Sequence, residues 1–493
     1  MRRKVEFTRG RHPLENPLVK QVLSHAEVCS VSTYIVGGYI RDSILSLDNQ
    51  SVSADDWADC SKKRDLDFAV SGGTAFDFAR VIAVEMDGHF VALDEANDTA
   101  RVVFDDGSIL DFAGCVGGSI ESDLKRRDFT VNALAWDCRH PDEVLDMADG
   151  LKDLAAKTLK AVSRQTFIDD PLRVLRTFRF AHQLKAEIEP TTLLWVKDLV
   201  DGLKTVAPER INFELFEALS GANAGRLTNQ LADCGVLEAI FPELVDCRRV
   251  TPNSFHHLGL FEHSVITVSE LDKRLADLPA WMLESSRREL SSGVSRLSAT
   301  RLACILHDIG KPGTWEVTPE GKHTFVAHDK LGAQMTALIA ARMRWSRPIE
   351  RLITRLVELH LRPGQLYHQG APTAKAINRF YRTVGDDVPE LMLVAFADLG
   401  ATRGAGLCGE NRENLEKGLD SLMHGYQVFI EEVVSRKPLI GGHDIMQLLN
   451  LNSGPIVGEL LKALEEARDL KEVVDRAQAE AFVKELYAQK YSK

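Results

Sequence analysis

The balance between strand-forming and helix-forming segments changes once along the chain, near Asp149. Before that point, short β-branched runs alternate with Gly-rich or Asp-rich turns and with helical stretches, which is typical of a compact α/β region. After it, strand-like runs largely vanish and apolar residues recur at helical spacing, as in Asp170–Leu184. The pattern predicts an α+β protein with a sheet-containing first part and a long helical second part. The runs that predict strands are Thr33–Val36, Leu66–Val70, Arg101–Phe104 and Ile109–Phe112.

The length and composition exclude several classes of protein. A chain of 493 residues is too long for one core, so about two to four domains are expected. No stretch approaches the roughly 18 apolar residues that a membrane span needs, and the start Met1–Glu6 lacks the apolar core of a signal peptide. The eight cysteines contain no Cys-x-x-Cys pair, which favours free thiols over a disulfide framework or a zinc knuckle. These features predict a cytoplasmic protein without a membrane partner.

The net charge of −12 argues, by itself, against a nucleic-acid partner, because nucleic-acid-binding modules are typically basic. The charges are distributed unevenly, however. Arg164–Lys185 contains five basic residues against two aspartates, and Arg342–Arg362 contains six arginines against two glutamates. Such local basic segments predict a modest, salt-sensitive affinity for RNA on an otherwise acidic protein.

Two glycines, Gly37 and Gly38, stand between a predicted strand and a predicted helix. Glycine lets backbone N–H groups approach phosphate oxygens closely, and a helix N-terminus adds positive potential. Arg41 and Asp42 follow in the first turn of that helix, and the guanidinium of Arg41 can bind phosphate. An ordinary strand-to-helix turn has the same pattern, so these glycines alone leave both interpretations open.

The sequence Asp65-Leu66-Asp67 lies on a predicted strand. Residues i and i+2 of a strand point the same way, so both carboxylates can share hard cations. Asp111, within the apolar run Ile109–Phe112, would sit on a neighbouring strand and could add a third oxygen ligand. A lone Asp-x-Asp is more often a solvated strand end. Carboxylates in an apolar setting after a phosphate-type turn favour two-metal phosphoryl or nucleotidyl transfer.

Arginines recur every three residues at Arg173, Arg176 and Arg179, which places them along one side of a predicted helix. An amphipathic helix often has this pattern without any ligand, but arginine at all three positions favours bidentate recognition of phosphate or base edges. A second basic cluster, Lys125–Arg127, is by itself best explained as a solvated charge run.

Six motifs in this order resemble those of class II tRNA nucleotidyltransferases and their bacterial poly(A) polymerase relatives. They occupy residues 37–42, 65–67, 126–133, 149–150, 169–176 and 208–215. The resemblance implies a polymerase-β-like nucleotidyltransferase head at 1–150, followed by an all-helical neck at 151–250, a body at 251–436 and a tail at 437–493. It also implies addition of C, A or both to the 3′ end of tRNA from CTP and ATP.

The resemblance further implies roles for individual residues. Asp65 and Asp67 would hold two Mg²⁺ ions, and Asp111 completes the predicted catalytic set. Asp170 and Arg173 would present hydrogen-bond partners to the base edges of CTP and ATP, which suits a carboxylate facing an exocyclic amine. The predicted nucleotide-binding residues are Gly37, Gly38, Arg41, Asp42, Arg127, Asp128, Asn132, Asp170, Arg173, Arg176 and Arg179.

Two positions depart from the family pattern. Asp169 stands where many relatives have Glu, and little consequence is expected. Only 14 residues separate Asp111 from Arg126, where full CCA-adding members usually have a longer flexible loop that helps the switch from C to A addition. CC-adding, A-adding and poly(A)-adding activities therefore remain open alternatives.

A histidine-rich set follows in the helical part. His307-Asp308 comes after the apolar run Leu302–Leu306; a buried His and Asp need partners, and a metal ion satisfies both. Each histidine alone would usually be a satisfied core residue, but the set over residues 255–400 resembles HD phosphohydrolases. That resemblance implies a principal metal site of His263, His307, Asp308 and Asp398, with His328 and His360 as candidate ligands of a second ion.

The implied activity of this second part is hydrolysis of phosphomonoesters or cyclic phosphodiesters with a transition metal such as Ni²⁺ or Mn²⁺. A purely structural HD domain is the alternative, as is a protein whose main activity is hydrolysis. A third class, an RNA-binding protein without catalysis, is opposed by the carboxylates, which would repel phosphate without cations between them. A second doublet, His443-Asp444, lacks the other ligands and is interpreted as a helix start.

Overall fold

The computed structural model describes residues 1–7, 12–45, 65–252, 257–321, 323–367, 370–404, 407–431, 436–469 and 472–491. The chain forms two compact units. The first comprises Met1–Glu214 and Cys234–Ile240, and the second comprises Leu215–Asp233 and Phe241–Lys493. The finer division into head, neck, body and tail stays a prediction.

The first unit contains an eight-stranded sheet. Its strands are β1 (Arg2–Lys4), β2 (Ser32–Val36), β3 (Asp65–Ser71), β4 (His89–Asp94), β5 (Thr99–Val103), β6 (Ile109–Gly114), β7 (Leu134–Trp136) and β8 (Glu143–Asp146). They lie in the order β1-β8-β7-β2-β3-β6-β5-β4. The pair β3 and β6 is parallel, and the other neighbours are antiparallel. The four strands predicted from the sequence are confirmed to within two residues at each end.

The two central strands β3 and β6 alternate between a buried and a more open face. Leu66 and Phe68 of β3, and Leu110 and Phe112 of β6, are buried in the core, where the two phenyl rings stack with centroids 5.2 Å apart. Side chains alternate along a strand, so the intervening Asp67 faces the other side of the sheet. The hydrophobic pattern thus fixes the register of β3 on β6, and this register places Asp67 next to Asp111.

The helices follow in chain order. They are α1 (Pro17–Val28), α2 (Gly38–Leu45), α3 (Ala75–Glu85), α4 (Ile120–Lys125), α5 (Gly150–Ala155), α6 (Gln165–Asp169), α7 (Arg173–Gln183), α8 (Pro190–Leu199), α9 (Pro208–Ser220), α10 (Ala224–Asp233), α11 (Val236–Ile240), α12 (Leu260–Arg274), α13 (Ala280–Arg287), α14 (Arg296–Leu306), α15 (His328–Arg342), α16 (Arg347–Leu359), α17 (Arg362–Tyr367), α18 (Ala374–Val384), α19 (Val388–Ala401), α20 (Gly409–Phe429), α21 (Gly442–Leu449), α22 (Pro455–Asp469) and α23 (Arg476–Tyr491). None of the helices in the described ranges combines the length and the apolar character needed to cross a membrane.

The predicted helical array is confirmed, and short strand pairs are added to it. They are β9 (Thr158–Leu159) with β10 (Glu187–Ile188), β11 (Glu289–Ser291) with β12 (Val294–Ser295), and β13 (Trp315–Val317) with β14 (His323–Phe325). In the second unit, α12 packs against α10, α14 and α19, and α16 packs against α14 and α15. These helices carry the histidine-rich set.

Two predicted helix starts can be compared with the structure. Helix α21 begins at Gly442, and the carboxylate of Asp444 accepts a hydrogen bond of 2.7 Å from the N–H of Gly441, so His443-Asp444 is confirmed as a helix start. Helix α7 begins at Arg173, within the predicted helical stretch Asp170–Leu184. One turn precedes this helix, and the Asp170 carboxylate caps that turn by accepting a hydrogen bond from the N–H of Leu172.

Candidate functional site

A row of charged residues crosses three adjacent strands of the sheet. Asp67 of β3 is paired in register with Asp111 of β6, and Asp111 is paired with Arg101 of β5. Residues directly alongside each other in a sheet point to the same face. Nε and Nη2 of Arg101 donate to the two carboxylate oxygens of Asp111 at 2.7 and 2.8 Å. Asp65 lies two residues before Asp67 on β3, but its side chain falls outside the described part of the structure.

The turn between β2 and α2 lies directly against this row. Gly37 has a φ of +74°, and a β-carbon there would lie 3.4 Å from both Nη1 of Arg127 and Oδ2 of Asp67. Gly38 is the first residue of α2. Nε and Nη2 of Arg127 donate to the buried carboxylate of Asp123 at 3.1 and 3.0 Å. Asp123 therefore orients Arg127 so that Nη1 faces the turn.

Gly37→Ala should lower nucleotide-addition kcat/KM by about ten- to a hundredfold, because the new methyl group is strained at positive φ and crowds Asp67 and Arg127. Gly107→Ala is the matched control, since Gly107 has a φ of +83° but open space around it. Both variants carry the backbone strain, and only Gly37→Ala fills the turn. Equal activities of the two variants would contradict the close approach at Gly37.

A chain of hydrogen bonds and ion pairs, which we call the polar relay, connects α2 with α7 and α9. Arg41 donates to Asp42 and to Asn132, both at 2.7 Å, and Asn132 donates to Asp128 at 3.1 Å. Asp128 pairs with Arg176 at 2.8 Å. Arg41, Asn132 and Asp128 are buried. The relay thus brings together six of the predicted nucleotide-binding residues, which are Arg41, Asp42, Asp128, Asn132, Arg176 and, through Glu214, Arg179.

Glu214 forms the last link of the polar relay. Its carboxylate accepts from Nε of Arg179 at 2.5 Å and lies 3.7 Å from Nε of Arg176. The guanidinium carbons of Arg176 and Arg179 lie 5.3 and 4.2 Å from the centre of the Phe180 ring, and that of Arg41 lies 5.4 Å from it. The aromatic face and the carboxylate together keep three guanidinium groups close to one another despite their like charge.

The ionisation of Asp128 reflects this environment. Burial alone would raise the pKa of the Asp128 carboxyl, but the charge of Arg176 and hydrogen bonds from Asn132 and from the N–H of Phe129 outweigh burial and lower it. Asp128 is therefore ionised at neutral pH and holds Arg176 in place.

The two residues predicted to select the base have separate contacts. Oδ2 of Asp170 pairs with Nη2 of Arg210 at 2.9 Å. Nη1 of Arg173 donates to the carbonyl oxygens of Arg126 and Thr166 at 2.9 and 3.2 Å. Burial lowers the pKa of the Arg173 guanidinium, and the nearby Asp128 and Asp170 oppose that shift. Arg173 thus links the basic cluster Lys125–Arg127 with helix α7, which also carries Arg176 and Arg179.

The second unit brings together the predicted metal ligands from α12, α19 and the end of α14. Nε2 of His263 lies 3.3 Å from Nε2 of His307 and 3.1 Å from Oδ1 of Asp398. Nε2 of His307 lies 3.2 Å from Oδ2 of Asp308. Burial opposes protonation of His307, but the Asp308 and Asp398 carboxylates outweigh it and raise its pKa.

A second group of ligands lies on the other side of Asp308. Nε2 of His328 and Nε2 of His360 lie 3.2 and 3.5 Å from Oδ1 of Asp308 and 3.3 Å from each other. Asp308 therefore has one oxygen toward each group. Burial alone would raise the pKa of Asp308, but His307 and Lys311 lower it well below its ordinary value. Burial lowers the pKa of His360.

The donor set suits a divalent transition metal. His307, His328 and His360 each place Nδ1 2.7 Å from a backbone carbonyl, of Cys304, Phe325 and Val357 respectively. This arrangement leaves each Nε2 lone pair for a metal, as is usual for ligating histidines. Among the residues that the structure describes, two groups of three have ligand atoms within 4.8 Å of one another, namely His263 with His307 and Asp398, and Asp308 with His328 and His360.

Two further features shape the metal-ligand cluster. A β-carbon at Gly310 would lie 2.2 Å from the carbonyl oxygen of His328, so only glycine lets the segment after Asp308 approach α15 this closely. A cleft of about 210 Å³ opens onto the cluster and is lined by Asp308, Lys311, His360 and Asp398 among others. A small ligand could reach both groups of metal ligands through this cleft.

Comparison with known proteins agrees with this geometry. Residues 33–160 match the family described as "Poly A polymerase head domain", residues 187–247 match "Probable RNA and SrmB- binding site of polymerase A", and residues 261–399 match "HD domain". The A-adding tRNA nucleotidyltransferase of Deinococcus radiodurans is 32% identical over 455 residues, which cover 91% of this chain and 94% of that protein. The chain belongs to the tRNA nucleotidyltransferase family.

Other tRNA nucleotidyltransferases support the assignment. The CC-adding tRNA nucleotidyltransferase of Geobacter sulfurreducens is 28% identical, and the match covers 95% of both chains. A solved structure of the Thermotoga maritima CCA-adding enzyme complexed with tRNA matches 99% of each chain with a TM-score of 0.65 at 20% identity, which shows a common fold. The predicted α+β class, with a nucleotidyltransferase head before a helical region, is confirmed.

Sequence reasoning missed four residues of this tRNA nucleotidyltransferase that orient predicted site residues. They are Arg101, Asp123, Arg210 and Glu214, which contact Asp111, Arg127, Asp170 and Arg179 respectively. Arg210 and Glu214 lie in the motif at 208–215, and Asp123 precedes Arg127 by four residues across the end of α4, so their positions gave a usable signal. Arg101 could be found only from the register of β5 on β6.

Proposed function

We propose that this chain is a template-independent RNA nucleotidyltransferase that adds C, A or both to the 3′ end of tRNA, with CTP and ATP as donors and Mg²⁺ as the metal. The observation that carries the proposal is the position of Gly37, where an added β-carbon would lie 3.4 Å from both the Asp67 carboxylate and the Arg127 guanidinium. A triphosphate at this turn would meet backbone N–H groups, a guanidinium and the metal-binding carboxylates together.

The residues of the head divide the work of the reaction. Asp67 and Asp111, with Asp65, would hold the Mg²⁺ ions, because carboxylate oxygens are the ligands that Mg²⁺ prefers. Bound Mg²⁺ would favour loss of the proton from the RNA 3′-hydroxyl and neutralise charge on the leaving pyrophosphate. Arg127 offsets the negative charge of the triphosphate, and Asp123 keeps Arg127 aimed at the turn. Arg101 holds Asp111 in one orientation toward Asp67.

Base selection follows from the chemistry of Asp170 and Arg173. A carboxylate accepts a hydrogen bond from the exocyclic amine of cytosine or adenine, and a guanidinium donates to their ring acceptors. Guanine and uracil would place an acceptor against the carboxylate. Arg176, Arg179 and the polar relay would support the nucleotide beside these two residues.

The proposal can be tested with three tRNA transcripts, which end before the CCA sequence, after its first C or after its second C. Each transcript is incubated with labelled CTP alone or with labelled ATP alone. We expect incorporation of C, of A, or of each on its own transcript, and labelled GTP or UTP supplied in the same way should give no incorporation. The pattern separates CCA-adding, CC-adding and A-adding activities, while long A tracts would indicate poly(A) addition. The 14 residues between Asp111 and Arg126 favour a partial activity. Absence of any incorporation would reject the transferase proposal.

A second candidate activity, metal-dependent phosphate-ester hydrolysis, is favoured by the metal-ligand cluster of the second unit. Asp308 belongs to the group with His328 and His360, and its other oxygen lies 3.2 Å from Nε2 of His307 in the neighbouring group. The cleft reaches Asp308, His360 and Asp398. Two adjacent divalent ions, such as Ni²⁺ or Mn²⁺, would bind a phosphate ester and favour an attacking hydroxide. Lys311, whose Nζ lies 2.5 Å from Oδ2 of Asp308, adds a positive charge at the cleft. Phosphomonoesters and cyclic phosphodiesters are the proposed substrates.

The cysteines agree with the predicted compartment. Every cysteine in the described ranges is a free thiol, which suits a reducing environment. We accordingly place the proposed activity in the cytoplasm.

A further inference from the structure

The cleft at the metal-ligand cluster has one polar end and one apolar wall. Its polar lining residues all belong to the cluster or contact it. Asp308, His360 and Asp398 are members, Lys311 donates to Asp308, and the hydroxyl of Thr402 donates to Oδ1 of Asp398 at 3.4 Å. The other lining side chains in the described part of the structure are apolar, and they are Leu361, Ala395, Leu399, Leu407, Leu415 and Leu419. Polar chemistry is thus confined to one end of the cleft.

The apolar wall is continuous with the cluster because one helix contributes to both. Residues 395, 398, 399 and 402 of α19 recur at the i, i+3, i+4 and i+7 positions of one helix face. This face places Ala395 and Leu399 beside Asp398. Leu415 and Leu419, four residues apart on α20, extend the wall, and α20 packs against α17 and α19. A ligand whose phosphate lies at Asp398 would therefore meet hydrocarbon next to it.

Gly364 leaves additional room in the cleft. It lines the cleft from α17, and a β-carbon at this position would have no atom within 4 Å. Its φ is not positive, so a larger residue could adopt the same backbone without strain. The cleft holds about 210 Å³, which is less than the roughly 300–1,000 Å³ of pockets for drug-sized ligands. The group that fits beside the cluster is accordingly small.

We propose that this cleft binds a small phosphate ester whose alcohol part is apolar and about the size of one ring. The inference rests on the second candidate activity, phosphate-ester hydrolysis, and names its substrate class. In the reaction the oxygen of water bonds to phosphorus, the bond from phosphorus to the alcohol oxygen breaks, and the alcohol takes the proton that water loses. A sugar in place of the ring would hold its hydroxyl groups against the leucines without hydrogen-bond partners, which is costly.

Two phosphonates test the proposal without turnover, because a phosphonate has the charged group of the ester but cannot be hydrolysed. Benzylphosphonate should bind Mn²⁺-loaded protein roughly ten- to a hundredfold more tightly than methylphosphonate, since burial of one apolar ring gives a gain of this size. Titration calorimetry measures both affinities. Equal affinities of the two phosphonates would overturn the inference.

Two variants change the apolar side of the cleft and leave the cluster intact. Leu415→Asn replaces a half-buried apolar side chain with a polar one of similar size, and Gly364→Leu fills the open space. Each should lower the affinity for benzylphosphonate about five- to tenfold, with bound Mn²⁺ and the affinity for methylphosphonate unchanged. Leu338→Asn is the matched control, because Leu338 is 72% exposed on α15. A wild-type preference for benzylphosphonate in both variants would overturn the role of the wall.

Hydrolysis is measured separately with benzyl phosphate and ethyl phosphate, which both release a primary alcohol. We expect a higher kcat/KM for benzyl phosphate, and the excess should fall in Leu415→Asn and in Gly364→Leu. Wild-type protein that prefers benzylphosphonate but hydrolyses neither ester would reject the hydrolase proposal and support the binding site. Hydrolysis of both esters with the same kcat/KM, together with equal phosphonate affinities, would support the hydrolase and overturn the inference.

Discussion

Asp67→Asn should reduce nucleotide addition by at least about a thousandfold, with little change in thermal stability. The carboxylate of Asp67 lies beside Asp111 on the adjacent strand and next to the Gly37 turn, where both the metal ions and the triphosphate are proposed to bind. Asparagine keeps the shape but removes the negative charge that a hard cation requires. Single-turnover incorporation of labelled nucleotide at saturating Mg²⁺ would measure the loss.

The matched control for this substitution is Asp105→Asn. Asp105 lies in the turn after β5, and its side chain is 93% exposed, so the same chemical change there should leave addition unaffected. If Asp67→Asn retained activity within about tenfold of the wild type, the paired carboxylates Asp67 and Asp111 would not form the catalytic centre. Raising Mg²⁺ or replacing it with Mn²⁺ should recover part of the activity only if Asp67 is a metal ligand.

Asp308→Asn should abolish metal binding in the second unit together with any phosphate-ester hydrolysis, which we expect to fall more than about a hundredfold. Asp308 supplies one oxygen to each of the two ligand groups, so its loss affects both. His328→Ala affects only the second group and should leave about one of two ions bound. Metal analysis of dialysed protein and turnover of a chromogenic phosphodiester with Ni²⁺ or Mn²⁺ would measure both effects.

The second His-Asp doublet provides the control for Asp308. Asp444→Asn changes a carboxylate that caps helix α21 and pairs with Arg476, neither of which is a metal ligand, so metal content and hydrolysis should stay at the wild-type level. Nucleotide addition should be unaffected by either substitution, because Asp67 and Asp111 belong to the first unit. A hydrolysis rate that is the same in Asp308→Asn and wild-type protein would assign the hydrolysis to another site or to a contaminant.

Much of the sheet and of the carboxylate site could be predicted from local patterns. Alternation of apolar and acidic residues in Asp65–Val70 and in Ile109–Phe112 determines which side each carboxylate faces, and this information lies within each strand. The Gly37 turn was predictable for the same reason, since glycine before a helix marks a close backbone approach. Site chemistry that depends on one segment is thus visible in the sequence.

Contacts between distant segments were not predictable in this way. Asp111 meets Arg101 because β5 and β6 pair in one register, and Arg179 of α7 meets Glu214 of α9 through a side-chain ion pair between distant segments. Residue spacing carries no information on either neighbour. The position of Asp308 between two ligand groups likewise depends on the packing of α16 against α14 and α15.

The burial of the polar relay affects how accurately the enzyme would select nucleotides. Arg41, Asn132 and Asp128 are buried, so losing one contact would leave a buried charge or amide without its partner, which is far more costly than the contact itself is worth. Partial rearrangement of the relay is therefore disfavoured, and its members are expected to be in place together or lost together. Since the relay joins the phosphate turn to the base-selecting helix, a damaged enzyme would stop working before it began to insert the wrong nucleotide.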